Sequence, residues 1–299
     1  MKAQVILTPT EAKCFISKAI VRMGVVQKAL QNGTVVIHPS SSTYFLVKEI
    51  TGDVPRTIYW LLGCVLPQGF CTEANIHGKQ SPSPSQAKGA KSLSEMFPFA
   101  WVIKKGKFLT GITLGELLAE MSPEDVYIKG CNAVDVEGNS GVLFGHEGGG
   151  TIAHVMGVQM QKRFQVVLAV GLEKLIPVSI AEAAKTSARH KEFDYGMGMP
   201  CGLYPIKGGT TVTEIQAVEI LTGAKATPIA SGGLGGAEGA TVLVIEGDKE
   251  QVTRTIEYVE QSKGATLPQV CTVPCQLCGS KDCRFPVQDK HWYGRWIHQ

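Results

Sequence analysis

The sequence predicts an α/β fold with a mostly parallel, Rossmann-like sheet and helices on both faces, followed by a small ferredoxin-like α+β domain and a cysteine-rich tail. Short β-branched runs alternate with helical patterns up to about residue 190, which is typical of a parallel sheet. The order then becomes β-α-β-β-α-β. Four cysteines cluster near the end. We therefore predict an α/β domain over 1–198, a ferredoxin-like domain over 199–270 and a metal-binding tail over 271–299.

The composition is that of a soluble globular protein. The 299 residues are 44% hydrophobic and 18% charged, and the chain is long enough to bury a large core. The net charge of +3 is too small to indicate a nucleic-acid partner. The N-terminus lacks the apolar core of a signal peptide, and no run of about 18 apolar residues suggests a membrane span. We expect a cytoplasmic protein that binds neither membrane nor nucleic acid.

The first helical pattern runs from Thr10 to Leu30 and ends at Asn32-Gly33. Thr8 or Thr10 can cap its start. The next segment, Thr34–His38, reads TVVIH and is typical of a strand buried on both faces.

A hydroxyl-rich loop follows this strand, and a second helix begins near Tyr44. The loop residues are Ser40, Ser41, Ser42 and Thr43. Their position between a buried strand and a helix start leaves two interpretations open. They form a cradle for an anion, or Ser42 or Thr43 simply caps the helix.

The segment 57–66 is β-type, 99–104 is a strand and 114–121 is a short helix. Between them, 67–98 is polar and irregular, with SPSPSQAKGAKS at its centre. It is too long for an ordinary connection, so it is either a lid or a disordered excursion.

The stretch 125–150 is predicted to build a pocket. A strand at 126–128 ends at Gly130 in a polar turn with Asn132 and Asp135. A second strand, 141–145, ends in a loop consisting of His146, Glu147, Gly148, Gly149 and Gly150. Backbone amides near a helix start attract anions, and glycines allow close approach. Asn132 and Asp135 either bind substrate hydroxyls or stabilise their turn.

Helix 151–164, strand 165–170 and helix 179–191 complete the first domain. In open α/β sheets ligands bind at the carboxyl ends of the strands. Lys174 follows the buried strand at that edge, and we expect it to contact an anionic ligand. In the second domain we predict strands at 203–207, 226–230 and 241–245, helices at 213–221 and 249–262, and an extended segment at 266–270.

The run GCNAVDVEGNSGVLFGHEGGG resembles the NagB/RpiA/CoA-transferase-like superfamily, in particular the loops of type A ribose-5-phosphate isomerases. The run FQVVLAVGLEKLIP is similar to the lactate-utilisation branch, where a strand ends in Gly-Ile-Glu-Lys-Leu-Val-Pro. TVVIHPSSST fits the superfamily's first strand and loop. The resemblance covers about residues 20–190. It implies a pocket for a small anionic metabolite, and the isomerases also contain a small ferredoxin-like domain.

The resemblance has departures that bear on mechanism. Lys129 and Asn132 stand where the isomerases have two loop aspartates, and Glu147 replaces the lysine before the glycines. Lys174 matches the later lysine. Isomerisation needs a carboxylate base and a positive group for the enediolate, so ribose-phosphate isomerisation is not expected.

Glu147 fits a different chemistry of the same superfamily. Its CoA transferases use a glutamate close to glycines as the nucleophile, which makes Glu147 a candidate for that role. The Ser-Glu-Asn-Gly context of those enzymes is not reproduced here. The alternative is a solvated or amide-capping glutamate.

The tail contains Cys-x3-Cys-x2-Cys-x4-Cys, formed by Cys271, Cys275, Cys278 and Cys283. Four thiolates supply the ligands of one zinc ion or one iron–sulfur cluster, and the spacing does not decide between them. A redox or reactive-thiol function is the alternative. The segment HWYGRWIHQ after the cysteines is aromatic and basic, and can pack over the metal or cover a subunit interface.

Three functions remain open at this stage. The first is an enzyme or binder of a small anionic metabolite, such as a phosphosugar, a carboxylate or an acyl-CoA. The second is a ligand-sensing or assembly protein that uses the metal tail for partner contacts. The third is an iron–sulfur redox component, as the lactate-utilisation resemblance implies. We also expect a homo-oligomer.

Overall fold

The computed structural model describes residues 1–54, 64–71, 74–75, 100–109, 112–188, 192–272, 275, 283 and 285, with backbone alone at 74, 75, 147, 271 and 272. The fold is mixed α/β, as predicted. The described part has eight α-helices, a six-stranded mixed sheet and smaller antiparallel sheets. Most of the predicted β-type segment 57–66 and of the excursion at 67–98 lies outside the described residues.

The N-terminal region differs from the predicted single long helix. Strand β1 (Lys2–Leu7) precedes α1 (Pro9–Arg22) and α2 (Gly24–Asn32). Thr8 caps α1 in a capping box, which confirms one of the two predicted caps. Met23 has an extended backbone and separates the helices. The glycine after it favours a break, because glycine is a poor helix former.

The central sheet has six strands in the order β13-β11-β8-β2-β6-β7. The four strands β13, β11, β8 and β2 are parallel, and β6 and β7 form an antiparallel edge. The strand bounds are β2 (Thr34–Ile37), β6 (Trp101–Lys104), β7 (Lys107–Leu109), β8 (Val126–Gly130), β11 (Gln165–Ala169) and β13 (Thr210–Val212).

Helices cover both faces of this sheet. The remaining helices are α3 (Ser41–Thr51), α4 (Leu114–Glu120), α5 (Gly150–Lys162), α6 (Ile180–Thr186), α7 (Glu214–Thr222) and α8 (Lys249–Ser262). Ile37 and Ile128 belong to a core cluster that also holds side chains of α1, α3, α7 and α8. Val36 and Tyr127, one residue earlier, belong to the opposite cluster with α4 and α5. The alternation confirms strands buried on both faces.

The region 199–270 contains the predicted helices and strands but not the predicted ferredoxin-like pairing. Strand β12 (Gly202–Ile206) pairs with β10 (Ser140–Phe144), which also pairs with β9 (Ala133–Val134). β13 joins the central sheet. Strands β14 (Lys225–Gly232) and β15 (Ala240–Glu246) form a separate sheet.

The N-terminal strand explains this difference. β1 pairs antiparallel with β15 over six residue pairs, from Lys2↔Glu246 to Leu7↔Thr241. β15 thus lies between β1 and β14, and the predicted extended segment 266–270 forms no strand. The domain boundary at residue 198 stays a prediction.

Short strands form the remaining described part. β3 (Cys64–Leu66) and β4 (Gly69–Cys71) make a hairpin, and β5 (Ala74–Asn75) pairs with β16 (Cys271–Thr272). Within the described ranges, no helix is long and apolar enough to cross a membrane.

Candidate functional site

The topology places a switch point at the carboxyl ends of β2 and β8, the edge where open α/β sheets have their ligand crevice. Helix α3 follows β2 and packs on one face, whereas α5 packs on the other. α5 has 13 residues and leads back to β11, whose first residue pairs with the first residue of β8. α5 therefore begins at the carboxyl edge. Two helix N-termini on opposite faces, beside adjacent parallel strands, define the switch point at which such sheets bind ligands.

The hydroxyl loop after β2 is ordered by its own hydrogen bonds. Ser40, rather than the predicted Ser42 or Thr43, is the N-cap of α3, and its hydroxyl accepts from the Thr43 backbone N–H at 3.2 Å. The Thr43 hydroxyl donates to the His38 carbonyl at 2.6 Å. Thr43 therefore ties the helix start to the strand end.

Gly130 lies directly against this loop. A Cβ atom at Gly130 would lie 2.6 Å from Ser40 Oγ and 3.3 Å from Ser42 Cβ. The end of β8 and the start of α3 can meet only because residue 130 has no side chain. The structure thus brings together three of the residues predicted to bind the ligand.

Lys174 completes the group. It ends a short 3-10 turn, Leu172–Lys174, after β11, and its Nζ donates to Ser42 Oγ at 3.1 Å. Burial lowers the pKa of Lys174, and the nearby Lys13 charge lowers it further, whereas Glu173 opposes the shift. The half-buried ammonium lies beside the start of α3, where an anion is favoured by both the charge and the free N–H groups of the first helical turn.

Three charged residues that the sequence interpretation missed support the Lys174 turn. Glu214, at the start of α7, is 0% exposed and accepts from the Leu172 backbone N–H at 2.9 Å and 3.2 Å. Burial, with the Glu173 charge, raises the pKa of Glu214 to about 7. Lys13 of α1 forms an ion pair with Glu173 at 2.8 Å. In the sequence, Glu214 has the position of an ordinary acidic residue in the first turn of a helix. Nothing there indicates its hydrogen bond with the Leu172 backbone N–H.

Lys129 is the second cation at this edge. It is 7% exposed and lies on the face of β8 that also carries Tyr127 and Cys131. Burial lowers the pKa of Lys129 to about 7. Burial raises the pKa of the Cys131 thiol to about 11, and the Lys174 and Lys129 charges oppose that rise. Both lysine charges therefore act on one thiol.

The glycine loop lies at the start of α5. Glu147–Gly149 form a 3-10 turn, and Gly148, Gly149 and Gly150 all have positive φ. At Gly149, φ is +85° and a Cβ atom would lie 2.6 Å from Ala153 Cβ, so glycine is required there. The same Cβ atom would lie 3.4 Å from the Tyr204 ring of β12. The Glu147 side chain lies outside the described atoms, and its nucleophilic function stays a prediction.

Asn132 and Asp135 are engaged within the protein. Asn132 Oδ1 accepts from the Leu143 backbone N–H at 3.0 Å. The Asp135 carboxylate accepts from the backbone N–H groups of Glu137, Asn139 and Ile180 and from the Asn139 amide. These contacts favour the turn-stabilising alternative for both residues.

The predicted metal ligands are described in part. Cys283 Sγ accepts from the Gly198 backbone N–H at 3.2 Å and from the Phe285 N–H at 3.4 Å. Donors of this kind typically surround metal-bound thiolates. Cys275 is described, Cys271 contributes its backbone to β16, and Cys278 lies outside the described residues. Where the structure is described, no three cysteine, histidine or acidic side chains converge as metal ligands. Zinc or iron–sulfur binding therefore stays a prediction.

We expect protein purified without oxygen to contain zinc or iron. Cys283→Ser should lower the metal affinity at least about tenfold, since even outer-shell changes have effects of that size. Elemental analysis and the visible spectrum measure this, because a brown sample indicates an iron–sulfur cluster and a colourless one zinc. Cys14→Ser on α1 is the matched control. Equal metal content in both variants would contradict the prediction.

Comparison with known proteins identifies no family for this chain. No family model matches the sequence. No curated protein matches it, and no solved structure matches its fold. The case for function therefore depends on the geometry of the crevice.

Proposed function

We propose that this protein binds a small anionic metabolite in the crevice at the carboxyl ends of β2 and β8. The observation that carries the proposal is the Lys174–Ser42 contact of 3.1 Å at the start of α3. It places the half-buried Lys174 ammonium beside the N-terminus of α3, at the carboxyl ends of the parallel strands. The lysine charge and the positive end of the helix both favour a negative charge there, and this edge is where such sheets bind ligands.

The chemistry favours a carboxylate or phosphate group as the part of the ligand that is recognised. Both match a lysine ammonium, hydroxyl donors and backbone N–H groups. Phosphosugars, hydroxy or oxo acids and acyl-CoA all carry such a group. The parallel strand order and the loops after β2, β8 and β11 also support our proposal that the chain is a member of the NagB/RpiA/CoA-transferase-like superfamily.

Lys174→Ala should weaken binding of the anionic ligand about 10- to 100-fold. Hydrogen bonds to charged groups contribute about 1.5–3 kcal/mol, which corresponds to this range. Calorimetric titration with glucose 6-phosphate, lactate and acetyl-coenzyme A, one representative of each class, measures the dissociation constants. Ser42→Ala should have a smaller effect in the same direction. Glu147→Gln tests whether the glycine loop contributes to binding of the anionic ligand.

The matched control is Lys185→Ala, which removes an exposed lysine from α6. It should leave the dissociation constants unchanged. If no ligand of the three classes binds to the wild-type protein, or if Lys174→Ala binds as tightly as wild type, the proposal is wrong.

A further inference from the structure

Four charged side chains lie around the turn that carries Lys174. Glu214 accepts from the Leu172 backbone N–H, two residues before Lys174, at 2.9 Å and 3.2 Å. Lys13 of α1 forms an ion pair with Glu173 of the turn at 2.8 Å. Charge interactions join Lys174 to Glu173, Lys13 and Glu214. The anion site is therefore part of a compact group of two carboxylates and two ammonium groups.

Glu214 is the member of this group whose charge changes near neutral pH. It is 0% exposed and forms no ion pair with a described residue. The described charged groups that act on it or on its turn are Glu173, Lys174 and Lys13, and the Lys13 ammonium is already paired with Glu173. A buried carboxyl beside a second carboxylate favours its neutral form. Burial, followed by the Glu173 charge, accordingly raises the pKa of Glu214 to about 7.

The protonation state of Glu214 sets the net charge around the anion site. When Glu214 is ionised, the two carboxylates balance the two ammonium groups. When Glu214 is protonated, the ammonium groups of Lys13 and Lys174 exceed the Glu173 carboxylate by one positive charge. The protonated state therefore attracts an anion at Lys174 and Ser42 more strongly. The bound anion in turn repels the Glu214 carboxylate and favours its protonation.

We propose that binding of an anion by Lys174 and Ser42 is coupled to the uptake of a proton by Glu214. This inference rests on the proposed function, since it uses the same anion site. Glu214 is fully buried, so it acts through the Lys174 turn and not by touching the ligand. It is a positioning residue whose charge makes the affinity for anions depend on pH.

The direction of the pH dependence follows from this linkage. Near pH 6 Glu214 is mostly protonated with or without the anion, and the affinity is highest. Above about pH 7 the free protein loses this proton more readily than the complex, so the affinity falls as the pH rises. The total loss should be about tenfold, as for two like charges roughly 10 Å apart at an effective dielectric constant of about 20.

Calorimetric titration of the full-length protein with lactate and with sulfate tests this inference, because both anions stay ionised between pH 6 and pH 9. We expect the dissociation constants to rise about tenfold over this range. Titrations near pH 7.5 in buffers of different ionisation enthalpy should show uptake of about half a proton per bound anion.

Glu214→Gln keeps an acceptor for the Leu172 N–H but carries no charge at any pH. Its dissociation constants should be the same across the range, and near pH 9 it should bind about tenfold more tightly than wild type. Such a gain in affinity at high pH is a result that damage to the turn would not produce. Glu219→Gln, which removes an exposed acid from the same helix, is the matched control and should keep the wild-type pH dependence.

Lys129→Met tests the other group at this edge with a pKa of about 7, and it should also keep the pH dependence. A pH dependence that Lys129→Met removes, or that Glu214→Gln retains, overturns the inference. Anion binding by the wild-type protein without proton uptake also overturns it, and leaves the anion site intact. If neither anion binds at any pH, the proposed function is wrong together with this inference.

Discussion

Replacing Lys129 with methionine should raise the free energy of unfolding by about 3 kcal/mol near pH 6 and change it little near pH 10. The pKa of Lys129 is about 7 in the folded protein, against an ordinary value of 10.5. Each pKa unit corresponds to about 1.4 kcal/mol, so the full shift gives an upper limit near 5 kcal/mol. Loss of the lysine's favourable packing contacts and relaxation around the charge reduce that figure.

The sign follows from proton binding in the two states. Between about pH 7 and pH 10.5 the unfolded chain binds a proton at residue 129 that the folded protein does not bind, so wild-type stability rises with pH there. Below pH 7 both states are protonated, and the full cost of the buried ammonium is present. Methionine has a similar shape and no charge, so it removes that cost.

Urea unfolding of both proteins near pH 6, pH 8 and pH 10 measures this difference. Among the described residues, the charged and titratable groups that face Lys129 are His38, Tyr127 and Cys131, and they remain in the variant. Lys185→Met on the exposed surface of α6 should show no pH-dependent difference. A stability difference for Lys129→Met that is constant across this range would show that the lysine is not a buried, desolvated cation.

The parts of the fold that the sequence predicts are those determined by local pattern. The runs at 34–38, 126–128 and 165–170 are apolar and β-branched, and all three are strands buried on both faces. Helix α8 has its predicted bounds, because Asp248 caps it and the amphipathic pattern is continuous. The pairing of β1 with β15 was not predictable in this way. It joins residues more than 200 positions apart, and no local pattern links them.

The same distinction applies to the candidate site. Lys174, Gly130 and the serines follow strand ends, so the rule that ligands bind at the carboxyl edge was sufficient to select them. Lys13 and Glu214 lie on helices, and only packing brings them to the Lys174 turn. Lys129 lies inside a strand, where the comparison with the isomerases marked it as a departure without giving it a function. Its burial and lack of a described partner became visible only in the structure.

Replacing Asp135 with alanine should lower the free energy of unfolding by about 3 kcal/mol. Asp135 is 4% exposed, and its carboxylate accepts from three backbone N–H groups, of which the Ile180 N–H at 3.0 Å is buried. Each buried donor left without an acceptor costs about 1–3 kcal/mol, and water can reach the Glu137 and Asn139 donors more easily than that of Ile180. Although burial raises the pKa of Asp135, these hydrogen bonds lower it by more.

The expected effect reaches the anion site, because Asp135 anchors the segment that follows Lys174. Val134 accepts from the Ile176 N–H at 2.9 Å, and Asp135 holds the start of α6 at Ile180. Asp135→Ala should therefore weaken ligand binding even though Lys174 is retained. If Asp135 stabilised only its own turn, the substitution would lower stability and leave ligand binding unchanged.

Asp135→Asn keeps an acceptor and should lose about half as much stability. The exposed Glu137→Ala is the matched control, and urea unfolding with calorimetric titration measures both effects. Unchanged ligand binding in a destabilised Asp135→Ala variant would show that the loop 131–139 and the Lys174 turn are energetically independent.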